Sequence, residues 1–396
     1  MTLSMEVSPE LAKYGQQLEE WAVAVGRLYA READTRHARP DNWSEILDTC
    51  PVPLGRAGKG EADALPRVPD GEWIRALVFH ESLNYGDPWM YGSVGNGIGH
   101  LVVEAMGTPE QIERWYDPVV RDGTCTGFAL TEPQFGSDTS LVATTARRDG
   151  DMWVLSGVKL YCSQGAIADY TTVFATTDRD QGPAAIKAFV VPRETRGYVV
   201  VKENEEKLGM RSWMTSQLAF DECAIPLENM LGCGPDGEGS PRQSGRGGAL
   251  AALNNNRPNM AAIAVGLARA SLDVAGQELK SRSLGFTPQR WAAVQRELAL
   301  MRTAIDRGRR MAYRSQDAVQ RGRPDRAISA MGKAYAPETA ERVIRRCMQL
   351  LGPDGTSQDL LIEKWWRDCK ILDIFEGTGQ IQRLLIARGL MGRAAG

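Results

Sequence analysis

Histidine is scarce in this sequence: only three of its 396 residues are histidines, His37, His80 and His100. They are widely spaced and form neither an HxH nor an HExxH pattern, so the sequence does not predict a metal site built from imidazoles. A proton-transfer step, if the protein catalyses one, must then use another kind of side chain. A carboxylate is the better candidate for a general base.

Cysteine is present but shows no pattern. The seven cysteines are odd in number, lie far apart and never form a CxxC pair. This arrangement indicates neither a disulfide framework nor a zinc site. We therefore expect a reducing compartment and no bound metal.

Neither sign of charge dominates the sequence, and no long apolar run occurs in it. Lys plus Arg total 47 and Asp plus Glu total 50, which gives a formal net charge of −3. Nucleic-acid-binding proteins usually carry a strong basic excess, so this class is not expected. No apolar segment reaches the roughly 18 residues of a membrane-spanning helix, and the N-terminus lacks the pattern of a signal peptide. We expect a cytoplasmic protein with no nucleic-acid partner and no membrane span.

The hydrophobic pattern changes its period twice along the chain. Helical spacing predominates up to about residue 124, short β-branched segments between turn residues follow, and long amphipathic runs return after about residue 249. A segment at 232–248, rich in Gly, Pro, Ser and charge, is typical of a flexible linker. The prediction is an α+β fold with an N-terminal helical domain (1–124), a β domain (125–231), the linker, and a C-terminal helical bundle (249–396).

The common nucleotide-binding loops are absent from the sequence. Residues 91–100 are rich in glycine but lack GxGxxG and do not follow a strand, and Gly58-Lys59-Gly60 lacks the Ser or Thr of a P-loop. No GxSxG motif occurs, which leaves the α/β-hydrolase class without support. A nucleotide cofactor, if one binds, must be held in another way.

Four separated segments carry a family resemblance. They read GFALTEPQFGSDT at 127–139, GVKLYCSQGAIADY at 157–170, KLGMRSW at 207–213 and IFEGTGQIQRLLIARGL at 374–390. In this order they resemble the acyl-CoA dehydrogenase family of flavoproteins, and the resemblance spans essentially the whole chain. The family fold has an N-terminal helical domain, a middle β domain and a C-terminal four-helix bundle, in agreement with the order of patterns above.

The resemblance implies an activity and its partners. The activity is FAD-dependent α,β-dehydrogenation of an acyl-CoA thioester, in fatty acid or lipid metabolism. Electrons would pass to an electron-transfer flavoprotein, and the usual assembly is a homotetramer, with a dimer or a heteromer as alternatives. Two other functions stay open: a partner subunit of a heteromeric acyl-CoA dehydrogenase, and a flavin-free acyl-thioester-binding protein. A purified protein that carries no flavin colour would favour either alternative.

Glu376 matches the catalytic base of the family. An apolar neighbour such as Phe375 would desolvate the carboxylate and raise its pKa toward working pH. Some family branches carry the base directly before an Arg on the first long C-terminal helix. Here Asn256 stands before Arg257 at that position and cannot take a proton, so the base placement resembles that of the medium-chain-like branch. The alternative for Glu376 is a helix-capping role near Gly379.

The resemblance also implies contacts for FAD and for the substrate. The residues implied to bind FAD are Thr131, Ser137, Tyr161, Ser163, Arg282, Gln349, Gly352, Thr378 and Gln380. Those implied to bind the acyl-CoA are Ser137, Asn254, Arg257, Phe375 and Gly377. Tyr161 would lie against the flavin ring and Arg282 would reach the pyrophosphate of a neighbouring subunit's FAD. Cys162, between Tyr161 and Ser163, is predicted to point away and to pack.

This sequence departs from the family pattern at three positions. Tyr161 replaces a common Trp, residues 282–286 read RSLGF where the family has RxxFG, and Pro353 replaces the second Gly of QxxGG. Residues 91–99, near the implied acyl pocket, have unusually small side chains. These leave either volume for a bulky, branched or long acyl group, or room for tight helix packing.

Overall fold

The computed structural model of the chain describes residues 7–55, 72–234, 245–321 and 325–392. Its N-terminal region is helical, as the sequence predicts. The helices there are α1 (Pro9–Trp21), α2 (Arg27–Arg36), α3 (Trp43–Asp48), α4 (Glu72–Gly86), α5 (Trp89–Val94), α6 (Gly99–Met106), α7 (Pro109–Gln111) and α8 (Asp117–Asp122). Two π-helical turns, Ala22–Gly26 and Ile112–Tyr116, join α1 to α2 and α7 to α8.

Local capping signals explain where two of these helices begin. The Ser8 hydroxyl accepts a hydrogen bond from the Leu11 amide at 3.2 Å, and Pro9 occupies the first turn, where its missing N–H leaves no bond unmade. Thr108 and Gln111 form a reciprocal capping box at the start of α7. Both helix starts are thus set by residues within one turn of them.

The middle region is one seven-stranded sheet. Its strands are β1 (Thr126–Ala129), β2 (Thr145–Asp149), β3 (Met152–Ser163), β4 (Tyr170–Thr176), β5 (Ile186–Pro192), β6 (Tyr198–Lys202) and β7 (Thr215–Pro226). The strand order is β1-β4-β2-β3-β7-β6, and β5 pairs with β4. The long strand β3 therefore lies inside the sheet, and its C-terminal end reaches Ser163.

The C-terminal region is a bundle of long helices. These are α9 (Gly245–Ser281), α10 (Pro288–Gln320), α11 (Arg326–Leu351), α12 (Ile362–Ile374) and α13 (Gly379–Leu390). One core cluster joins the N-terminal helices to this bundle, and it includes Leu77, Ile263 and Trp365. The sheet is covered on one side by α6 and the start of α9 through a second cluster that includes Met106 and Phe174.

The prediction of a flexible linker at 232–248 is wrong for its C-terminal end, because residues 245–248 form the first turn of α9. A Cβ at Gly248 would lie 2.0 Å from the sulfur of Met106, and one at Gly245 would lie 2.5 Å from the carbonyl carbon of Lys187. These glycines therefore permit close packing of α9 on α6 and on the sheet. Residues 235–244 of the predicted linker lie outside the described residues.

A buried ionic cluster anchors α12 to the rest of the molecule. Lys364 Nζ lies 2.8 and 2.9 Å from the two carboxylate oxygens of Asp87 and 2.6 Å from Asp368 Oδ2. All three residues are buried, and Asp368 also accepts the backbone N–H of Met210. Burial alone would lower the pKa of Lys364, but the two carboxylates raise it above its ordinary value. The cluster fixes α12, whose C-terminal end leads into the loop containing Glu376.

The described ranges contain neither a helix that could span a membrane nor a cluster of metal-ligating side chains. None of the helices there combines the length and the hydropathy needed to cross a bilayer. Within the same ranges, no three His, Cys, Asp or Glu side chains are grouped as metal ligands would be.

Candidate active site

Glu376 lies in the short loop between α12 and α13, in a left-handed backbone conformation with φ of 56°. A non-glycine residue adopts this region only when its surroundings hold it there. Lys333, fully buried on α11, supplies one restraint, because its Nζ donates to the carbonyl oxygens of Gly377 at 2.7 Å and Asp373 at 2.9 Å. The bundle thus fixes both ends of this loop with one side chain.

Two further side chains hold the backbone of the loop. Gln382 Nε2 donates to the Gly377 carbonyl at 2.9 Å and to the Glu376 carbonyl at 3.3 Å. Arg257 Nε, from α9, also donates to the Glu376 carbonyl, at 3.2 Å. The Glu376 N–H has no hydrogen-bond acceptor among the residues the structure describes. The carbonyl of Glu376 is therefore engaged, whereas its amide is available.

The two carboxylate oxygens of Glu376 have different surroundings. Oε1 accepts a hydrogen bond from Asn256 Nδ2, whereas Oε2 is buried with no partner among the described residues. Burial raises the pKa of Glu376 to about 7, although the Asn256 hydrogen bond and the charges of Arg257 and Lys333 pull it down. A carboxylate with a pKa near neutrality can act as a general base at physiological pH.

The alternative role for Glu376, capping α13, belongs to a different residue. Thr378 Oγ1 accepts the backbone N–H of Ile381 at 3.3 Å, which makes Thr378 the N-cap of this helix. The side chain of Glu376 instead turns toward Asn256. No capping role therefore competes for this carboxylate.

Aromatic side chains connect the Glu376 loop to the end of β3. The ring of Tyr91, on α5, stacks on Trp213 with centroids 4.8 Å apart and planes at 28°. Burial and the nearby charge of Glu376 raise the pKa of the Tyr91 hydroxyl. On the other side, Trp213 Nε1 donates to Ser163 Oγ at 3.4 Å. Glu376, Tyr91, Trp213 and Ser163 therefore line one continuous region.

The loop that holds Trp213 is organised around a half-buried lysine. Lys207 Nζ donates to Asn204 Oδ1 at 2.6 Å and to the backbone carbonyls of Glu205 and Trp213 at 3.1 and 2.9 Å. Burial lowers the pKa of Lys207 to about 8. The lysine of the KLGMRSW segment thus has a structural role, which is to place Trp213 against Tyr91.

The buried ion pair between Glu132 and Lys159 holds the turn that follows β1. Glu132 accepts hydrogen bonds from the amides of Ala143 and Thr144 at 2.7 and 2.8 Å, and from Lys159 Nζ at 2.8 Å. Thr131 next to it is half-buried, and Ser137 at the end of the turn is exposed. The hydroxyl of Ser137 is thus presented outward by a turn whose interior is fixed.

The end of β3 presents an aromatic side chain outward. The pairing of β3 with β7 shifts register between Lys159 and Cys162, and Tyr161 within this bulge has φ of 54° and is 59% exposed. Cys162 points the other way, is fully buried, and has a pKa raised to about 12 by that burial. The prediction that Cys162 packs in the core is confirmed.

Comparison with known proteins identifies the family of this chain. The family models described as "Acyl-CoA dehydrogenase, middle domain" and "Acyl-CoA dehydrogenase, C-terminal domain" match residues 127–223 and 243–391. "Probable acyl-CoA dehydrogenase FadE25" of Mycobacterium tuberculosis is 35% identical over 388 residues, which cover 96% of this chain and 97% of that protein. The chain belongs to the acyl-CoA dehydrogenase family. It is therefore an oxidoreductase of an FAD-dependent family.

Further similarities agree with this assignment. The mitochondrial short-chain specific acyl-CoA dehydrogenase of Rattus norvegicus is 35% identical over 302 residues, which cover 76% of this chain and 71% of that protein. The solved structure of butyryl-CoA dehydrogenase from Megasphaera elsdenii superimposes with a TM-score of 0.84 at 25% identity, covering 98% of this chain and 100% of that one. The α+β fold predicted from the sequence is thus confirmed.

The residues present near β3 fit the FAD that this family requires. Tyr161 exposes most of an aromatic ring on a strand end, where a flat ring system could lie against it. Ser137 and Ser163 carry hydroxyls that can donate to the acceptor atoms along the edge of a flavin. Thr378 caps the N-terminus of α13, a helix end that favours negative charge, and the side chain of Gln380 is exposed there.

The structure separates Arg282, Gln349 and Gly352 from the Glu376 loop. Arg282 follows the C-terminal end of α9, about 37 Å along the helix from Arg257. There it pairs with Glu278 at 3.2 Å and with Asp354. Gln349 is exposed in the last turn of α11, and Gly352 ends that helix with φ of 68°. These three predicted FAD residues form a second group, hereafter the outer group.

Four of the five predicted substrate residues, all but Ser137, lie near Glu376. Asn254 is buried on α9, and its Oδ1 lies 3.5 Å from Nη1 of Arg257. Phe375 and Gly377 flank Glu376, and Phe375 is half-buried against the helical core. Sequence reasoning missed Lys333, Gln382 and Tyr91. The one available signal was Lys333, a charged residue within the otherwise small and apolar run SAMGKAYA at 329–336.

The small residues at 91–99 serve packing. A Cβ at Gly97 would lie 1.8 Å from the Thr126 carbonyl oxygen, and one at Gly99 would lie 2.2 Å from that of Gly127. A Cβ at Gly92 would lie 3.1 Å from the ring of Trp213. Backbone and aromatic atoms fill this space, so the glycines give no support for a bulky acyl group.

Replacing Gly377 by alanine is expected to lower both stability and catalytic rate. Its φ of 92° disfavours any side chain, and a Cβ would lie 2.6 Å from Nε2 of Gln382, which holds the loop carbonyls. We expect the free energy of unfolding to fall by about 1–3 kcal/mol, measured by denaturant titration. Gly150→Ala is the matched control, because its φ is 59° but nothing lies within 4 Å of its Cβ. A Gly377→Ala protein as active as Gly150→Ala would contradict this view of the loop.

Proposed function

We propose that this chain catalyses α,β-dehydrogenation of an acyl-CoA thioester and that Glu376 removes the α-proton. The observation that carries the proposal is Oε2 of Glu376, which is buried, has no partner among the described residues, and belongs to a carboxylate with a pKa of about 7. A buried, unpaired carboxylate oxygen is unfavourable for folding alone, so a reaction that protonates it accounts for its presence.

The other residues of the loop act on the thioester carbonyl. Arg257 and Gln382 engage the Glu376 carbonyl, whereas the Glu376 N–H has no acceptor among the described residues. This N–H is the proposed donor to the thioester oxygen, where negative charge increases as the α-proton leaves. The proton goes from the α-carbon to Glu376, and its electron pair forms the new C=C bond as hydride leaves the β-carbon. FAD, when bound, supplies the acceptor for that hydride at N5.

The proposed FAD contacts divide into two groups. Thr131, Ser137, Tyr161, Ser163, Thr378 and Gln380 would serve the FAD of their own subunit. Arg282, Gln349 and Gly352 of the outer group would serve the FAD of a neighbouring copy, as expected for a homotetramer. The separation along α9 supports this division, and Leu284, fully exposed beside Arg282, supports burial of this surface in an assembly.

The substrate and the electron acceptor complete the proposal. Ser137, Asn254, Arg257, Phe375 and Gly377 would contact the acyl-CoA. The enzyme would act in fatty acid or lipid metabolism and would pass its electrons to an electron-transfer flavoprotein.

The direct test is anaerobic addition of saturated acyl-CoAs to the purified protein. Straight-chain substrates from butyryl- to palmitoyl-CoA, and isobutyryl-CoA, should be included. At least one is expected to bleach the visible absorbance of bound flavin and to yield a 2-enoyl-CoA detectable by mass spectrometry. A protein that purifies without flavin would support the partner-subunit or the flavin-free binding function instead. Bound flavin that no acyl-CoA reduces would contradict the proposal.

Flavin reduction is expected to accelerate as pH rises through about 7. The base must be ionised to take a proton, and burial places the Glu376 pKa at about 7 in the folded protein. The second-order rate constant for reduction should therefore rise between about pH 6 and pH 8 and then level off. Anaerobic stopped-flow measurements across this range check the expectation. A profile that is flat or falls over the same range would contradict it.

A further inference from the structure

Three side chains form a hydrogen-bonded line that ends on the base. Asn259 Nδ2 donates to Asn256 Oδ1 at 3.0 Å, and Asn256 Nδ2 donates to Glu376 Oε1. Both asparagines lie on α9, and Asn256 is buried. An amide has one donor end and one acceptor end, so the donation from Asn259 directs the donor end of Asn256 toward Glu376.

The line makes the two oxygens of the carboxylate chemically unequal. Oε1 already accepts a hydrogen bond, which stabilises negative charge on it and reduces its tendency to take a proton. Oε2 is buried with no partner among the described residues. The bond to Oε1 also restrains rotation of the carboxylate, so the direction of Oε2 is set from α9.

We propose that Asn256, oriented by Asn259, is the positioning residue of the base, and that Oε2 of Glu376 is the atom that receives the α-proton. This inference rests on the proposed function. In the step concerned, the α-carbon–hydrogen bond breaks, the proton goes to Oε2, and the electron pair stays on the substrate. Asn256 keeps its own hydrogens throughout.

The position of Asn256 supports a role in the reaction. Its Nδ2 donates to Oε1 of Glu376, so its side chain faces the base from α9. Its neighbour Asn255 is exposed on the same helix and takes no part in the line. The chain therefore contains a matched pair of asparagines, one bonded to the base and one turned to solvent.

Other charged groups also act on Glu376 and must be held constant. Arg257 on α9 and Lys333 on α11 act on it directly, Tyr91 on α5 lies within reach of its charge, and Asp373 near the end of α12 acts on Lys333. Burial lowers the pKa of Lys333 to about 8, so Lys333 can titrate within the range of a pH profile. Variants of Asn256 keep all four groups, and a difference from the parent protein therefore reports the amide alone.

The test compares Asn256→Ala, Asn259→Ala and the control Asn255→Ala as FAD-loaded proteins. One readout is the pH profile of flavin reduction by an acyl-CoA that bleaches the parent protein. The second is α-hydrogen exchange of 3-thiaoctanoyl-CoA in D2O, followed by mass spectrometry. Its sulfur replaces the β-carbon, so this probe can lose an α-proton but not a hydride. Flavin content and melting temperature show whether each variant is folded.

Asn256→Ala is expected to move the midpoint of both profiles upward by about one pH unit, because a donor to the anion is lost. At pH 7 its rate should be at least about fivefold lower, and the plateau at high pH should also fall, because the carboxylate is no longer restrained. Asn259→Ala should shift the midpoint in the same direction by less, and it tests the line even if Asn256→Ala does not fold. Asn255→Ala should match the parent.

An unchanged midpoint in both Asn256→Ala and Asn259→Ala, or an equal shift in Asn255→Ala, would overturn the inference. So would a loss of rate that is the same at every pH. Failure of the proposed function has a different signature: the parent protein would neither reduce its flavin nor exchange the probe, or Glu376→Gln would do both at the parent rate.

Discussion

Glu376→Gln is expected to slow flavin reduction by acyl-CoA by about 10⁴-fold, the upper end of what a general base contributes. Glutamine has the shape of glutamate but no basic atom, so the α-proton has no acceptor. The fold around it should persist, because Asn256 Nδ2 can donate to the amide oxygen of the new side chain as it does to Oε1. Lys333, Gln382 and Arg257 bind only the backbone of the loop and keep their contacts.

The measurement is anaerobic stopped-flow reduction with the best acyl-CoA, together with flavin content and acyl-CoA binding. Glu338→Gln is the matched control, since this exposed carboxylate of α11 only pairs with Arg383 on the surface. It should reduce its flavin at the parent rate. A Glu376→Gln protein that keeps more than about a tenth of the parent rate would move the base to another residue.

Lys364→Met is expected to lower the free energy of unfolding by about 3–5 kcal/mol, because it leaves two buried carboxylates without their cation. Asp87 and Asp368 both face Lys364 Nζ within 2.9 Å and are fully buried. Methionine has a similar length but cannot donate a hydrogen bond. The loss matters for function because the cluster fixes α12, which leads into the Glu376 loop.

Chemical denaturation of the FAD-loaded protein measures this effect, and Lys370→Met on the same helix is its control. Lys370 pairs with Glu341 at 3.1 Å and is 44% exposed, so its loss should change stability by at most about 1 kcal/mol. Burial already raises the pKa of Asp368, and in the variant its protonation removes part of the penalty. The deficit of Lys364→Met should therefore shrink as pH falls toward about 5. Equal losses in the two variants would contradict the account of this cluster.

Much of the fold is local in origin and could be predicted from the sequence. Ser8 and Pro9 begin α1, and Thr108 begins α7, because caps and first-turn prolines act within a few residues. Strands β1 and β2 are hard to predict because they have only four and five residues, and the sequence TARRD of β2 has too little apolar character to mark a strand. Their pairing with β4 and β3 stabilises them, and pairing is not visible locally.

The candidate site likewise combines residues that the sequence identifies with contacts that it does not reveal. Motif resemblance predicted Glu376 and the residues on either side of it. The contacts that set its chemistry join distant positions: Asn256 lies 120 residues from Glu376, and Lys333 lies 44 residues from Gly377. No local pattern encodes such contacts. The glycines at 245–248 led to the wrong prediction of a linker there. Close packing of helices and a flexible linker both favour residues without side chains, so the sequence alone does not distinguish them.

One measurement tests the central claim most directly: a single anaerobic turnover of a saturated acyl-CoA carrying deuterium at both α positions. The parent protein is expected to reduce its flavin and to form a 2-enoyl-CoA that has lost one α-deuterium, with slower reduction than for the unlabelled substrate. Glu376→Gln should form almost none of this product in the same time. A product that retains both α-deuterons, or product formation by Glu376→Gln at the parent rate, would contradict the assignment of Glu376 as the base of an acyl-CoA dehydrogenase.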